Sequence, residues 1–179
     1  ISACLVGSEM CIRDRFLPFN QGNDGHEGNP PSGTGSSTNY LWREILARPT
    51  FMRVLKDFAL FEPGKSGKKD EGRLIFPRFH QLRAVERVVA DIEANGPGKR
   101  YLVWHSAGSG KTKTIAWLSH RLIRHMSADS KSTFDSVIVV TDRTVLDENI
   151  RDDMNLVQSS KGLVVAVGEK SGAKSPQLR

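Results

Sequence analysis

The chain has 179 residues, of which 38% are hydrophobic, and this supports one modest core or one domain with an appendage. Its formal net charge of +6 and pI near 9.5 permit a polyanionic partner without requiring one. No apolar run reaches the length of a membrane span, so we expect a cytoplasmic protein with no membrane partner.

Residues 1–15 are predicted to be a non-native leader. They show no helix or strand period and lack the basic start of a signal peptide, and they resemble the translated sequencing-adapter leader of some assembled gene fragments. Both cysteines, Cys4 and Cys11, lie in this segment. The remaining chain has no cysteine, which argues against disulfides, thiol catalysis and cysteine-ligated zinc there.

Residues 16–72 are predicted to form the end of one region and a linker to the next. Residues 20–39 are rich in Gly, Asn, Pro, Ser and Thr, and we expect a loop because such a stretch buries too little surface to order itself. Residues 40–61 have apolar side chains at helical spacing, interrupted near Pro49, which predicts two short helices. Residues 62–72 are charged and predicted to be a flexible connector.

The next unit is predicted to span residues 73–179 and to begin with an amphipathic helix. One face of this helix carries Leu82, Val85, Val88, Val89 and Ile92. The sequence Asn-Gly-Pro-Gly at residues 95–98 predicts its end, because glycine favours the backbone conformation that follows a helix.

A phosphate-binding loop is predicted after this helix. Apolar residues 101–104 indicate a strand, residues 106–110 form a loop of small side chains, and Lys111 and Thr112 open a second helix with apolar residues at Ile115, Leu118, Leu122, Ile123 and Met126. Strand, glycine loop, Lys-Thr and helix is the order that a P-loop requires. The first position of the usual pattern is His105 instead of glycine, and motor NTPases of the helicase type often share this departure.

Each residue type in this loop has a physical role in binding a nucleotide. Gly108 and Gly110 let successive N–H groups converge on a phosphate, and the helix adds the positive end of its dipole. Lys111 is expected to reach the terminal phosphates of ATP, and the Thr112 hydroxyl is expected to bind Mg²⁺. Gln81, 30 residues before Lys111, is a candidate for reading the adenine edge.

The chain after the loop alternates strands and helices. Residues 137–140 indicate a buried strand that ends in Thr141, Asp142 and Arg143, residues 145–156 indicate a helix, and residues 162–167 indicate a third strand. This alternation predicts an α/β fold, a partial RecA-like P-loop NTPase domain with a parallel sheet and flanking helices. The loop and residues 141–143 would then meet at the carboxyl ends of the strands.

These motifs together resemble the restriction (R) subunit of bacterial type I restriction-modification enzymes. The resemblance covers residue 16 to the end of the chain and is carried by FLPFNQGNDGHEGNP, YLWREIL, the segment from FPRFHQ to HSAGSGKT, and FDSVIVVTDRTVLD. It implies a fragment that joins the end of a nuclease region to the first half of the first motor domain. Residues 107–112 would be the phosphate loop: Ala107, Gly108, Ser109, Gly110, Lys111 and Thr112.

The resemblance also implies further residues, cofactors and partners. Gln81 would read adenine, and Thr141, Asp142 and Arg143 would lie along the nucleic-acid track. The full-length protein would use ATP and Mg²⁺ to translocate double-stranded DNA, and would act with modification and specificity subunits. The only candidate for a Walker B element is residues 137–142, but Arg143 follows instead of an acid, and the position fits an early helicase motif better. No nuclease motif or second motor domain is recognisable in the sequence, so we expect the fragment alone to be inactive.

Two other functions remain open at this point. One is a superfamily 2 DNA helicase or another P-loop ATPase without nuclease activity, and an E-x-K motif upstream of residue 16 would discriminate against it. The other is a non-catalytic interaction module, which the intact Gly110, Lys111 and Thr112 argue against.

Overall fold

The computed structural model describes residues 19–23, 28–33, 35–62, 72–142 and 144–157. The expected leader, most of the charged connector and the predicted third strand lie outside these residues. No helix among the described residues is long and apolar enough to cross a membrane.

The region before the connector contains short helical turns in place of two regular helices. A π-helical turn at Leu41–Ile45 is followed by α1 (Arg48–Arg53) and a second π-helical turn at Val54–Phe58. The break falls where Pro49 occupies the first turn of α1, as the sequence predicts, because proline lacks the N–H that a helix interior needs.

Two three-residue strands flank the connector and were not predicted. Strand β1 (Leu60–Glu62) pairs antiparallel with β2 (Arg73–Ile75), and the Arg73 guanidinium forms an ion pair with Glu62. Strands this short carry no readable alternation of apolar and polar residues, so the sequence pattern gives no signal for them.

The long helix α2 (Phe79–Asn95) matches its prediction closely. All five residues of its predicted apolar face are buried: Leu82, Val85, Val88, Val89 and Ile92. Gly96 follows with φ of 77°, a conformation that favours glycine, and its N–H bonds to the carbonyl of Ile92.

Helix α3 (Lys111–Ile123) starts where predicted but buries a different face. The predicted apolar positions from Ile115 to Ile123 are only half-buried and Met126 is exposed, whereas Thr114, Ala116, Trp117, Ser119 and His120 are buried. Trp117 is the largest fully buried side chain in the described part, and its ring packs against Phe58 with centroids 5.9 Å apart. The bulk of Trp117 therefore sets which face of α3 turns inward. Helix α4 (Thr144–Val157) confirms the helix predicted at residues 145–156 and packs along α3.

One hydrophobic core joins the residues on the two sides of the connector. Phe58 and Leu60 from one side lie in the same buried cluster as Leu82 and Trp117 from the other. The Arg121 guanidinium of α3 also forms an ion pair with Asp57. The segment that ends at residue 62 is thus held directly against the helix that starts at the glycine loop.

The predicted parallel sheet does not form among the described residues, where the only sheet is the β1–β2 pair. Residues 101–104 and 137–140 have no ladder of backbone hydrogen bonds, yet in both segments exposure alternates from residue to residue. Leu102 and Trp104 are each 91% exposed, while Tyr101 and Val103 are about half as exposed. This period of two is typical of an extended chain, but a β-strand also needs a neighbour to pair with its backbone, and neither segment has one among the described residues. The prediction of a buried strand at residues 137–140 is therefore wrong for this part of the chain, where Ile138 and Val140 are exposed.

Candidate phosphate-binding site

The glycine loop has the backbone shape that an anion-binding loop needs. Gly108 has φ of 73° and Gly110 has φ of 78°, both in the left-handed region where a side chain is unfavourable. Gly110 is the residue before the first turn of α3, and no side chain caps that turn. The first N–H groups of α3 and the positive end of its dipole therefore face the loop, which is the arrangement that binds phosphate.

Lys111 lies over the loop. Its ammonium donates hydrogen bonds to the carbonyl of Ser106 at 2.8 Å and to the carbonyl of His105 at 3.3 Å. The side chain is exposed, so a phosphate oxygen can compete for the same protons without the cost of uncovering a buried cation. Its charge is thus available at the mouth of the loop.

Gln81 fixes the carboxyl end of the loop. Its amide nitrogen donates to the carbonyl of Gly110 at 2.9 Å and to that of Ser109 at 3.3 Å, and its amide oxygen accepts from the N–H of Arg78 at 2.8 Å. The residue is only 4% exposed. Gln81 and the loop, predicted to serve one nucleotide site, are therefore in direct contact. The contact occupies both ends of the amide, and adenine recognition by Gln81 stays a prediction.

Two histidines complete the support of the loop, and sequence reasoning missed one of them. The Nε2 atom of His80 lies 3.0 Å from the carbonyl oxygen of Ser109, and its ring meets the ring of His105 edge to face with centroids 4.8 Å apart. Burial lowers the pKa of His105, and the nearby His80 and Lys111 lower it further, so His105 is neutral at pH 7. The only sequence signal for His80 was its place directly before Gln81.

The remaining predicted residues occupy different environments. Ala107 is exposed, Ser109 is buried with its hydroxyl unpartnered within the described part of the chain, and Thr112 is half-buried in the first turn of α3. Thr141 is half-buried and Asp142 is exposed just before α4, while Arg143 lies outside the described residues. The nucleic-acid track therefore stays a prediction.

Much of the local basic charge is used in ion pairs. Lys99 pairs with Asp91 at 2.7 Å, and hydrogen bonds from Lys99 and then Tyr101 lower the pKa of that carboxyl. Lys113 pairs with Asp153 of α4, as Arg121 does with Asp57. Lys111 differs from these three cations because its partners are backbone carbonyls of the loop.

A cavity of about 640 Å³ lies beside the loop, between α2 and residues 100–105. It reaches the loop region through His80 and His105, and Arg83, Arg87 and Trp104 are among its other lining residues. Its position along the unpaired segment 101–104 separates it from the N–H groups of the glycine loop.

The residues of the loop fit a nucleoside triphosphate bound with Mg²⁺. Two glycines with positive φ, an uncapped helix start and an exposed lysine supply the N–H donors and the positive charge that a polyphosphate needs. Thr112 offers a hydroxyl of the kind that binds Mg²⁺ in such sites. Within the described residues, no group of three or more His, Cys, Asp or Glu side chains could hold a metal ion.

Comparison with known proteins gives a family match whose range includes the loop. The family model of the SWI2/SNF2 ATPase matches residues 80–172, just over half of the chain. A relative in Methanocaldococcus jannaschii, named as the endonuclease subunit of the type I restriction enzyme MjaVIIIP, is 29% identical over 124 residues. That match covers 67% of this chain and 11% of the relative. No solved structure matches the chain significantly. The match over more than half of its length shows that this chain belongs to the SWI2/SNF2 ATPase family.

Proposed function

We propose that this chain binds ATP through residues 107–112 and belongs to the ATP-dependent DNA translocase and endonuclease subunit of a type I restriction-modification system. The observation that carries the proposal is the shape of the loop. Gly108 and Gly110 have positive φ, the start of α3 is uncapped, and the ammonium of Lys111 lies over the loop. The restriction assignment draws support from the named relative, of which this chain spans about a tenth.

The proposed chemistry assigns a separate task to each group of the loop. The N–H groups of residues 108–112 bind the phosphate chain, and Lys111 neutralises the charge on its terminal oxygens. The Thr112 hydroxyl would hold Mg²⁺, which supplies positive charge beside the phosphates when it is bound. Water attack, the arginine finger and DNA cleavage belong to parts of the protein beyond this chain.

Movement along DNA would use contacts to backbone phosphates, which carry no sequence information. The recognition sequence would then be read by a specificity subunit, and methylation would be performed by a modification subunit. Thr141, Asp142 and Arg143 are the residues of this chain proposed to lie along the DNA.

The test is an assay of the full-length protein with its modification and specificity subunits on circular DNA that carries one unmethylated recognition site. We expect DNA cleavage that needs both ATP and the partner subunits, and we expect Lys111→Ala to abolish it. Cleavage in the absence of ATP, or in the Lys111→Ala protein, would contradict the proposal.

A motor without nuclease activity is the second candidate, because the family that matches is described only as an ATPase. The same assay separates the two. DNA-stimulated ATP hydrolysis and displacement of a third strand from triplex DNA, with the circular substrate left intact, would support the motor alone.

A comparison of ATP with GTP distinguishes two possible roles of Gln81. If its amide reads adenine, Gln81→Ala should lower the preference for ATP over GTP. If it only holds the carbonyls of Ser109 and Gly110, the variant should weaken both nucleotides by the same factor. Equal use of ATP and GTP by the unmutated protein would contradict adenine recognition.

A further inference from the structure

We propose that His80 is a positioning residue of the phosphate loop, and that its contacts with Ser109 and His105 hold both ends of the loop in their binding shape. This inference rests on the proposed function, because it concerns how the same loop is kept ready for a triphosphate.

The first part of the argument is the contact with the carboxyl end of the loop. His80 lies in the first turn of α2, and its Nε2 atom is 3.0 Å from the carbonyl oxygen of Ser109. A carbonyl can only accept, so the ring must carry its proton on Nε2 and donate it. The neighbouring Gln81 also donates to that oxygen, so two successive residues of α2 bind the backbone of the loop.

The second part is the contact with the amino end of the loop. The ring of His80 meets the ring of His105 at an interplanar angle of 85°, an edge-to-face arrangement that aromatic rings favour. His105 stands where the usual motif has glycine, so a bulky ring must be accommodated at the start of the loop. The structure accommodates it against His80, with its Nδ1 atom buried.

Together these contacts join residues 105 and 109 through one imidazole of a neighbouring helix. A loop held at both ends loses less conformational freedom when phosphate binds, and preorganisation of this kind raises affinity. His80 touches backbone and a ring of the loop, so its effect should appear in nucleotide binding and not in the chemical step.

The experiment measures binding of Mg·ATP and of inorganic tripolyphosphate to the full-length protein by titration calorimetry, together with steady-state ATP hydrolysis. His80→Ala should weaken both ligands by the same factor, roughly 5- to 150-fold, from the loss of one neutral hydrogen bond and one ring contact. KM for ATP should rise by a similar factor, while kcat stays nearly constant.

Two conservative variants separate the contacts. His80→Gln keeps an N–H donor and loses the aromatic ring, whereas His80→Phe keeps the ring and loses the donor, so each should recover part of the affinity. His125→Ala is the matched control, because His125 lies at the other end of α3 and contacts Thr133 and Phe134 instead of the loop. It should bind both ligands as the unmutated protein does.

The experiment distinguishes a failure of the role proposed for His80 from a failure of the proposed function. If Lys111→Ala binds tripolyphosphate as tightly as the unmutated protein, the loop is not the phosphate site, and both the proposed function and the role of His80 are refuted. If Lys111→Ala loses binding while His80→Ala keeps its affinity, or loses no more than His125→Ala, only the role of His80 is refuted. A fall in kcat with unchanged KM would also refute it.

Discussion

Replacing Gly110 by alanine tests how closely the loop depends on its contact with α2. Gly110 has φ of 78°, and a Cβ added there would lie 2.6 Å from the amide nitrogen of Gln81. Gly108 is the matched control, because it has φ of 73° but no atom within 4 Å of an added Cβ. Both variants share the conformational cost, and only Gly110→Ala displaces the Gln81 amide.

The expected magnitudes follow from these two terms. A non-glycine residue in the left-handed region costs about 1–2 kcal/mol, which applies to both variants. Displacing the Gln81 amide leaves buried polar groups without their partners and adds about 1–3 kcal/mol to Gly110→Ala alone. Each 1.4 kcal/mol is about a factor of ten, so the equilibrium constant for loop opening should rise by about 5- to 30-fold in Gly108→Ala. In Gly110→Ala it should be higher than in Gly108→Ala by about another 5- to 150-fold.

Hydrogen–deuterium exchange of the full-length protein measures this directly, because local opening is observed peptide by peptide. The informative peptides cover residues 79–83 and 105–114. The double variant Gln81→Ala with Gly110→Ala should lower the free energy of loop opening by less than the sum of the two single changes, because alanine at position 81 removes the clash. Equal exchange in Gly108→Ala and Gly110→Ala, or strict additivity in the double variant, would refute the reasoning.

Three further predictions concern the helix behind the loop. Trp117→Ala should destabilise the domain by about 3–5 kcal/mol, since the ring is fully buried, and Trp42→Ala at an exposed site should change thermal unfolding little. Asp57→Ala should cost about 1–3 kcal/mol by leaving Arg121 unpaired, and a double-mutant cycle with Arg121→Ala should show positive coupling; an additive cycle would contradict the ion pair. Burial lowers the pKa of His120 from its usual 6.5, and the charge of Arg124 lowers it further. The unfolded chain therefore binds a proton at a higher pH than the folded chain does, so the free energy of unfolding falls as the pH drops below about 6.5. His120→Leu should make thermal unfolding less sensitive to pH between 7.5 and 5.5, values that lie on the two sides of that usual pKa, and an unchanged slope would contradict this.

The helices and the glycine loop could be predicted from sequence because their signals are local. The apolar face of α2 repeats at helical spacing, and the glycine after Asn95 marks its end. The start of α3 at Lys111 follows from the loop motif, where glycine residues and a Lys-Thr pair stand together. These features depend on residues within one or two turns of each other.

The features that sequence did not predict depend on partners distant along the chain. The antiparallel pairing of Leu60 with Ile75 joins residues across the connector, and three residues are too few to show a strand period. The buried face of α3 is set by Trp117 against Phe58, a contact that no local pattern contains. The binding of the Gly110 carbonyl by Gln81 likewise joins residues that only the folded chain brings together.

The predicted parallel sheet also depends on partners that are distant along the chain. Apolar residues at 101–104 and 137–140 predict strands, but the structure forms no strand at either segment, although exposure alternates along both. A strand needs a neighbour to complete its hydrogen bonds, and neither segment has one among the described residues. Family membership implies a RecA-like fold, but the parallel sheet of that fold is not formed among the described residues.

The most direct test of the central claim is the affinity of the full-length protein for Mg·ATP after removal of one lysine. Lys111 lies over the glycine loop, whereas Lys113, two residues further along α3, is paired with Asp153. Lys111→Ala should weaken Mg·ATP binding by roughly 10- to 150-fold, the value of one charged hydrogen bond, and Lys113→Ala should leave it close to that of the unmutated protein. Equal affinity in the two variants would contradict the assignment of this loop as the site that holds the triphosphate.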